Sequence, residues 1–350
     1  MSLNQYGVAI VGFGGMGSQH ARLISTLDYM RVIGTYDISD ERQEHARSLG
    51  YHPYAQLSEV LSDPKIDIVL IATPNQVHKD IAIAALRAKK AVICEKPVTM
   101  NSAELQEIYD VANETGQLFT VHQNRRWDED FLVIKQLYDT GALGDITHIE
   151  QRIHGSRGIP GDWRQLPEYG GGMLLDWGVH LIDRLLLMVE EKVTSVFCQF
   201  THITNDIVDD GFRLLVTFAS GKTALMEVGT VNYINLPLWY VTGTRGTAVI
   251  DNWSMSGKVV RLQSQGNHDA TPIVAGAGLT KTMAPRIDDS IMEEPILRIE
   301  CDVRDFYRNV ADVLAGKAQK VIKDDEVMRV MRLLEAAFES DAKNQVVSFE

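Results

Sequence analysis

The sequence has few cysteines, no excess of basic residues and no long apolar run. Its 350 residues include 3 cysteines, an odd number without a C-x-x-C pair, which argues against a disulfide framework or a thiolate zinc site and favours a reducing cytoplasm. Lys and Arg number 34 against 47 Asp and Glu, giving a net charge of −13. This charge argues against nucleic acid or an anionic membrane as a partner of the surface as a whole.

Targeting and membrane signals are missing as well. No Lys or Arg precedes Arg22, so the basic region of a signal peptide is lacking, and no apolar run approaches the roughly 18 residues of a membrane span. Apolar residues make up 45% of the chain and charged residues 23%, close to the averages for globular proteins. We therefore expect a cytoplasmic protein, and the length of 350 residues suggests two domains.

Short apolar runs alternate with helical patterns from Val8 to Gln123. One helix is expected to be capped by Ser102 and to end at Gly116. The predicted strands are Val8–Val11, Val32–Tyr36, Ile68–Ala72, Ala91–Cys94 and Leu118–Val121. This alternation predicts an α/β domain with a doubly wound parallel sheet, covering residues 1–123.

After Gln123 the pattern changes to successive strands with short polar turns. The predicted strands are Ile146–Ile153, Lys192–Thr201, Phe212–Ala219, Thr223–Val228, Leu238–Thr242 and Thr247–Ile250. The predicted helices are Phe131–Tyr138, Gly172–Met188, Ile299–Leu314 and Asp325–Ala342, and residues 264–298 are interpreted as a loop. We predict a second, α+β domain over residues 124–350 with a mostly antiparallel sheet.

A glycine-rich hexapeptide follows the first strand and opens a helix. It reads Gly12-Phe13-Gly14-Gly15-Met16-Gly17, the G-x-G-x-x-G spacing of a dinucleotide-binding loop. Gly12 permits a tight turn, Gly14 a close approach to a pyrophosphate, and Gly17 packing of the helix on the strand. A glycine-rich turn without a ligand is the alternative. Asp37 lies 20 residues after Gly17, where a carboxylate can bind the adenosine ribose, which supports a dinucleotide site.

The same carboxylate bears on which dinucleotide binds. Asp37 repels the 2′-phosphate of NADP, which favours NAD, but Arg42 is close enough in sequence to reach that phosphate, so NADP stays open. Thr73-Pro74-Asn75 ends the third strand, at the sheet edge where ligands bind. A proline turn in which Asn75 caps the next helix explains this segment equally well.

Glu95-Lys96-Pro97 ends the fourth strand at the same edge. The proline stops the strand and favours an extended Lys96, whose charge could stabilise a substrate oxygen and lower the pKa of a nearby base. A solvated surface lysine is the alternative. Glu95 either orients Lys96 or pairs with it.

A second constellation follows three consecutive glycines at positions 170–172. Asp176, His180 and Asp183 have spacings of four and three, which place them on one face of an apolar helix. Such a stripe is costly to bury without a function, although each residue alone could be a satisfied core group. The glycines are expected to let a flat ring lie close. No third strong ligand is visible nearby, so we predict no metal.

Together, the glycine loop, Asp37, Glu95-Lys96-Pro97 and the Asp176/His180 helix resemble the Gfo/Idh/MocA family of oxidoreductases. The resemblance covers nearly the whole chain. It implies an N-terminal Rossmann domain that binds NAD or NADP and a C-terminal domain with a large open sheet. It further implies a homodimer or homotetramer through that sheet, Lys96 as a catalytic residue before a proline that often follows a cis peptide, and His180 as the acid/base of a D-x-x-x-H pair with Asp176.

The expected activity is hydride transfer between a CH–OH carbon of a sugar, cyclitol or related polyol and nicotinamide. The catalytic residues are predicted to be Lys96, Asp176 and His180. Cofactor contacts are assigned to Gly12, Phe13, Gly14, Gly15, Met16, Gly17, Asp37, Arg42, Thr73, Pro74, Asn75, His78, Glu95 and Lys96. Substrate contacts are assigned to Lys96, His122, Asn124, Arg157, Trp163, Asp176 and His180.

For several of these residues a purely structural role is an alternative explanation. Asn124 could cap a helix, and Trp163 could anchor an otherwise solvated loop. Two other functions also stay open, namely a dinucleotide-binding sensor without catalysis and an NAD-dependent glycosidase of the same family.

Overall fold

The computed structural model describes residues 5–264, 273–275, 277–281, 286 and 289–350. Within these ranges no helix combines the length and the apolar character needed to cross a bilayer. The first part of the chain contains, in order, β1 (Tyr6–Val11), α1 (Gly15–Ile24), β2 (Met30–Tyr36), α2 (Asp40–Ser48), α3 (Leu57–Ser62), β3 (Ile68–Ile71), α4 (His78–Arg87), β4 (Ala91–Cys94), α5 (Ser102–Thr115) and β5 (Phe119–Val121).

These five strands form one parallel sheet in the order β2-β1-β3-β4-β5. Strands β3, β4 and β5 are buried along their whole length, as expected when both faces of a parallel sheet are covered. The doubly wound parallel sheet is therefore confirmed, and the predicted strand bounds agree with the observed ones to within two residues.

The start of α5 corrects one detail of the sequence interpretation. The N-cap is Asn101, whose side chain accepts a hydrogen bond from the Glu104 amide, while Ser102 is the first helical residue. Asn and Ser are both strong capping residues, and when they are adjacent the sequence alone does not decide between them. Gly116 ends the helix in the left-handed region, with a φ of 67°.

The rest of the chain builds a second sheet with its helices. Its elements are α6 (Glu129–Asp139), β6 (Ile146–His154), a π-helical turn (Leu174–Gly178), α7 (Val179–Met188), β7 (Val193–Thr201), β8 (Gly211–Phe218), β9 (Thr223–Gly229), β10 (Trp239–Gly243), β11 (Gly246–Ile250), β12 (Gly257–Leu262), β13 (Ile273–Ala275), β14 (Leu279–Lys281), β15 (Ile291–Pro295), α8 (Arg304–Leu314), α9 (Asp324–Lys343) and β16 (Val347–Ser348). Within the described residues, nine strands form a sheet in the order β15-β12-β11-β10-β6-β9-β8-β7-β16. Among these described strands only β6 and β9 pair in parallel, which confirms a large, mostly antiparallel sheet.

This sheet has an inner face against helices and an outer face towards solvent. Along β8, Phe212, Leu214 and Val216 are buried, whereas the alternating residues Arg213 and Leu215 are exposed. Helix α9 packs against β7, and α7 packs against α9. The period of two along the strand therefore separates the core from the outer face, to which Arg213 and Leu215 belong.

Two predicted segments need correction. The interpretation of residues 264–298 as loop is wrong for Ile291–Pro295, which is an edge strand of the large sheet, and for β13 and β14, which pair with each other. Much of the remainder of that segment lies outside the described residues. The helix predicted from Gly172 starts as the π-helical turn and becomes α-helical at Val179, because hydrophobic spacing alone does not distinguish the two.

The two C-terminal helices contact the parallel-sheet half. Tyr307 of α8 lies with its hydroxyl 2.6 Å from Nδ1 of His20 in α1. Glu335 of α9 accepts hydrogen bonds from the amide and hydroxyl of Ser102, at 2.7 and 2.8 Å. The end of the chain thus helps to hold the two halves together, and the division into residues 1–123 and 124–350 stays a prediction.

Candidate active site

The glycine loop follows β1 and leads into α1. Gly12 has a φ of 88°, and a Cβ there would lie 2.6 Å from the Ala72 carbonyl oxygen. A Cβ on Gly17 would lie 2.1 Å from the Gly12 carbonyl oxygen, whereas one on Gly15 would meet no atom within 4 Å. Gly12 and Gly17 are thus required by close packing, and Gly15 leaves open space at the N-terminus of α1. Amide groups at a helix N-terminus bind phosphate, so the loop fits a dinucleotide.

Asp37 and Arg42 flank this loop. The Asp37 carboxylate accepts hydrogen bonds from the amides of Phe13 (2.7 Å) and Ser39 (2.9 Å). The Arg42 guanidinium covers Gly14 so closely that a Cβ there would lie 2.8 Å from it. Phe13 itself is a core residue, buried with its ring against Tyr51, so only its backbone is offered to a ligand.

The segment after β3 is tied to the rest of the protein. Asn75 donates from Nδ2 to the Gly170 carbonyl at 3.1 Å, so it links the two halves and does not cap the next helix, and it follows Pro74 in a short helical turn. The His78 ring lies 2.9 Å from the Thr73 carbonyl and 3.1 Å from the Pro97 carbonyl. Because His78 has no exposed surface, it braces these loops and presents no atom to a cofactor, contrary to its assignment.

A buried cluster lies behind the end of β4. Glu95 Oε1 lies 2.8 Å from His20 Nε2 and 2.8 Å from His122 Nδ1, and both rings donate to it. Burial alone raises a carboxyl pKa, but His122 and His20 outweigh it and hold the pKa of Glu95 well below its usual value. Tyr307 completes the cluster through His20. His122 therefore contacts Glu95 and is buried. This position differs from its predicted role as a substrate contact.

The same three residues carry the ligand types of a metal centre. One donor atom each from His20, Glu95 and His122 lies within 4.8 Å of the others. Both 2.8 Å contacts to Glu95 have the length of hydrogen bonds, and a ring nitrogen that holds a proton does not coordinate a metal. That the protein works without a metal stays a prediction.

Lys96 reaches from the end of β4 into the other half. The Lys96–Pro97 peptide bond is cis, and the Lys96 amide donates to Glu95 Oε2 at 3.1 Å. Its Nζ donates to the main-chain oxygen (3.0 Å) and to Oδ1 (3.2 Å) of Asp176. Because the Lys96 side chain is only 15% exposed, it is not a solvated surface charge, and Glu95 contacts its backbone and not its ammonium group.

Asp209 fixes the first residues of the π-helical turn that carries Asp176. The Asp209 carboxylate accepts from the Leu174 amide at 2.7 Å, and its carbonyl accepts from the Met173 amide at 3.0 Å. Burial raises the pKa of Asp209 to about 8. Turns with π geometry occur frequently at functional sites, and here one positions a carboxylate next to a lysine.

The three glycines before this turn are explained by packing against the protein itself. A Cβ on Gly170 would lie 2.7 Å from Asn75 Nδ2, and one on Gly171 would lie 2.4 Å from the Arg164 carbonyl oxygen. At Gly172, with a φ of 101°, a Cβ would lie 2.1 Å from Asp209 Oδ1. Close packing within the protein therefore accounts for the three glycines, and the expectation that they let a flat ring lie close stays a prediction.

Asp176 lies between two cations. Besides the contacts from Lys96, its Oδ2 accepts from Arg164 Nε at 2.8 Å. Burial opposes ionisation, but Lys96 and Arg164 overcome it and lower the pKa of Asp176. Asp176 is therefore an ionised anchor that holds Lys96 and the loop of Arg164 in place.

His180 is one turn further along the helix, and its side chain has no hydrogen bond to any described residue. The residue is 4% exposed, and its Nδ1 is buried without a partner in the described ranges. Burial is the main cause that holds the pKa of His180 well below 6.5, and the charges of Lys96, Arg125 and Arg184 act in the same direction. The ring is therefore neutral near pH 7 and can accept a proton.

Asp183 does not share this site. Its carboxylate forms a bidentate pair with Arg126, at 2.7 and 2.8 Å, and it is buried. His180 and Asp183 both lie in the regular helix α7, where a spacing of three makes them neighbours, but the Asp183 carboxylate is occupied by Arg126. Asp183 is thus a structural partner.

The other predicted substrate contacts differ in their surroundings. Asn124 opens a short helical turn, and its Oδ1 is buried without a partner among the described residues. Trp163 is half-buried, with the Arg164 guanidinium 4.6 Å from its ring centroid, and Arg157 is exposed in the same loop.

Two tryptophans and an arginine near His180 were missed by the sequence assignments. The Trp177 ring lies 5.9 Å from the His180 ring and 6.4 Å from the Trp253 ring. Arg125 lies over Trp177 at 4.4 Å. Trp177 lies between Asp176 and His180, and Arg125 follows Asn124, so both adjoin residues that the sequence singled out, whereas the sequence signal for Trp253 is an aromatic residue within a polar turn.

Comparison with known proteins agrees with this arrangement in both halves. Residues 6–123 match the sequence model of a protein family that is described as an oxidoreductase family with an NAD-binding Rossmann fold. The model of the GFO/IDH/MocA C-terminal domain matches residues 131–249.

Individual relatives match over most of the chain. An uncharacterized oxidoreductase of Schizosaccharomyces pombe is 30% identical, over 86% of each chain. The scyllo-inositol 2-dehydrogenase (NADP(+)) IolW of Bacillus subtilis is 26% identical, over 98% of this chain and 96% of its own. The crystal structure of an NAD-binding protein from Listeria innocua is 47% identical, with a TM-score of 0.96 over 99% of this chain and 100% of that one. Since both domain models match in sequence order, the chain belongs to the Gfo/Idh/MocA family of oxidoreductases, which bind NAD(P) on a Rossmann fold.

Proposed function

We propose that the protein is an NAD(P)-dependent dehydrogenase or reductase that acts on a CH–OH group of a sugar, a cyclitol or a related polyol. The observation that carries this proposal is a neutral, buried His180 on the same helical segment as Asp176, which in turn holds Lys96. A base and a cation in one site are what removal of a hydroxyl proton requires. The B. subtilis relative that acts on scyllo-inositol supports a polyol as the substrate class.

The chemistry divides between the cofactor and three side chains. When bound, the nicotinamide accepts the hydride from the substrate carbon or returns it. His180 accepts the hydroxyl proton, because its lowered pKa keeps the ring neutral. Lys96 donates a hydrogen bond to the developing alkoxide, and Asp176 keeps the ammonium group in position. In the reductive direction the protonated His180 returns the proton to the substrate oxygen, and the same Lys96 hydrogen bond stabilises the alkoxide that forms there.

NAD is the proposed cofactor, with NADP as the competing one. Asp37 already accepts two backbone hydrogen bonds at the end of β2, so its charge is fixed where a 2′-phosphate would approach. Arg42 lies over Gly14 and could neutralise such a phosphate. Titrating protein fluorescence with NADH and NADPH decides between them. Arg42→Ala should weaken NADPH binding by about tenfold, the effect of losing roughly 1.4 kcal/mol of charge pairing, and should change NADH binding much less.

The activity test uses purified protein with NAD or NADP and matched alcohols and ketones of cyclitols and sugars. Nicotinamide absorbance at the characteristic wavelength should change with at least one substrate, and the change should be lost in His180→Ala. Cofactor binding without turnover in either direction on a broad panel would indicate a sensor. Release of an aglycone without net NADH would indicate a glycosidase.

We also propose that two or more copies associate through the outer face of the large sheet. Cross-strand pairing places Phe197, Leu215, Leu225, Tyr240 and Val249 in one row on that face, interrupted by Glu150. Leu215 and Tyr240 are exposed, and an apolar row of this length favours burial against a second copy. Light scattering should give a dimer or tetramer, and Leu215→Asp should give a smaller species. A monomeric wild-type protein at micromolar concentration would contradict this proposal.

A further inference from the structure

A row of rings leads from His180 towards the protein surface. The Trp177 ring lies beside His180 with centroids 5.9 Å apart, in a T-shaped arrangement. The Trp253 ring lies beside Trp177 at 6.4 Å, tilted by 40°. Trp253 is 56% exposed, and it comes from the turn between β11 and β12, far in sequence from the other two. The fold thus brings a second indole close to the base through Trp177.

Arg125 holds the two indoles in a fixed relation. Its guanidinium carbon lies 4.4 Å from the Trp177 centroid and 5.9 Å from the Trp253 centroid. Its NH1 group donates to Asp128 at 2.8 Å, while its Nε is buried without a partner among the described residues. A cation over the face of an indole is attracted electrostatically by the ring, so Arg125 helps to fix both rings. We call Trp177, Trp253 and Arg125 the indole shelf.

The two indoles of the shelf have groups that a ligand can contact. Neither the Trp177 nor the Trp253 indole N–H donates a hydrogen bond within the described part of the chain, unlike Trp239, which donates to Asp130. An exposed tryptophan offers both a large apolar ring face and a polar N–H. Sugars match this combination, because a pyranose ring presents C–H groups on its faces and hydroxyls around its rim. A shelf of indoles beside a base therefore suits a carbohydrate better than an acyclic polyol.

We infer that the indole shelf binds a second ring of the substrate, so that the protein acts on glycosides or disaccharides in preference to a single free ring. This inference rests on the proposed function, since it places the reacting CH–OH at His180. A ring whose hydroxyl reaches His180 lies against its neighbour, Trp177. Trp253 contacts Trp177 but has no ring contact with His180 among the described residues, so it lies further along the row, where a substituent on the first ring would extend.

The test measures binding separately from turnover. Calorimetric and fluorescence titrations of the full-length protein, with and without NAD, would use matched sets of glucose, methyl β-glucoside, phenyl β-glucoside and cellobiose. Equivalent galactose and inositol sets cover other stereochemistries. In at least one set, a second-ring ligand should bind about tenfold more tightly than its one-ring counterpart. Phenyl glycoside and disaccharide distinguish an aromatic aglycone from a second sugar.

Variants connect the preference to the shelf. Trp253→Ala should remove the tenfold difference and leave binding of the one-ring ligand within about twofold, whereas Trp253→Phe, which keeps a ring, should retain most of the difference. Leu49→Ala is the control, since Leu49 is an apolar residue of similar exposure, 53%, in the other half. An unchanged preference in Trp253→Ala, equal binding of both ligand sizes, or no second-ring binding in any set would overturn the inference. Second-ring binding without turnover would instead count against the dehydrogenase proposal alone.

Discussion

The Lys96 ammonium group donates hydrogen bonds to both the main-chain oxygen and the carboxylate of Asp176, 80 residues further along the chain. Lys96 belongs to the turn after β4, and Asp176 belongs to the π-helical turn before α7. The contact therefore joins the half that carries the cofactor loop to the half that carries His180. The proposed active site, with Lys96 from one half and His180 from the other, is assembled only when these two halves are docked.

Replacing Lys96 by alanine should reduce kcat by about 10²–10⁴-fold, the usual contribution of a positioned proton donor or charge. The variant also leaves Asp176 with Arg164 as its remaining partner, so the cofactor half and the helix of His180 lose one link. Steady-state kinetics with the substrate found in the activity test would measure the effect.

Lys79→Ala is the matched control for this variant. Lys79 forms an exposed ion pair with Glu107 at 3.4 Å, and such pairs contribute little. We expect its kcat to stay within twofold of wild type. A kcat within fivefold of wild type in Lys96→Ala would remove Lys96 from the mechanism.

The pH dependence of oxidation should report the ionisation of His180. Because its pKa lies well below 6.5, the ring is already neutral at pH 7, and kcat/KM for oxidation should be level near neutrality. It should fall as the pH drops through the lowered pKa, since the protonated ring accepts no proton.

Profiles in both directions make this assignment specific. Reduction requires the protonated ring, so its rate should rise where oxidation falls. His180→Ala should lose activity throughout without acquiring a new acid limb. An acid limb for oxidation centred at or above 6.5 would contradict the neutral-base assignment.

Much of this arrangement was predictable from local patterns. The strands of the parallel sheet are continuous apolar runs, and the cofactor loop and the lysine follow those runs directly, so their position at one sheet edge follows from topology. The Asp176/His180 pair is similarly local, because the two positions are four apart along one helical segment.

The contacts that the sequence did not predict join residues that are far apart in the chain. Asp183 was grouped with His180 because nothing in its surroundings reveals Arg126 as its partner. His122 was assigned to the substrate because the sequence does not reveal its contact with Glu95. That contact joins the ends of two different strands. The Arg125–Trp253 contact likewise unites segments that share no pattern.

Glu95→Gln should lower the free energy of unfolding by about 2–4 kcal/mol, because a buried acceptor of two histidine N–H groups loses its charge and one ring loses its partner. Urea unfolding followed by circular dichroism would measure the change. Glu107→Gln, on an exposed ion pair, should change stability by less than about 0.5 kcal/mol.

The same measurement addresses a metal at this cluster. If His20, Glu95 and His122 are joined by hydrogen bonds alone, dialysis against a chelator should leave the unfolding midpoint of the wild type unchanged. A midpoint lowered by the chelator and restored by Zn²⁺ would assign the cluster to a metal instead, and equal stability of Glu95→Gln and wild type would contradict both roles.

Gly172→Ala should destabilise the protein by about 2–4 kcal/mol, since the backbone conformation disfavours a side chain and the new Cβ meets Asp209. Displacing Asp209 also removes the acceptor of the Leu174 amide, so kcat should fall together with stability. Thermal unfolding and kinetics at a temperature well below the transition would show both effects.

Gly155→Ala provides the comparison, because a Cβ at Gly155 meets no atom within 4 Å. Its stability should stay within about 0.5 kcal/mol of wild type. If both alanine variants unfold at the same temperature, the close packing of Gly172 on Asp209 does not constrain the turn.

The ends of the nine-stranded sheet determine how it can meet other chains. At one end, β15 carries Glu293, Glu294 and Pro295, and at the other β16 spans only two residues. Charged residues, proline and a very short strand are each known to discourage an edge from pairing with a foreign strand. Under the proposed association through the outer face, these two edges would resist the strand-by-strand growth that leads to fibrils.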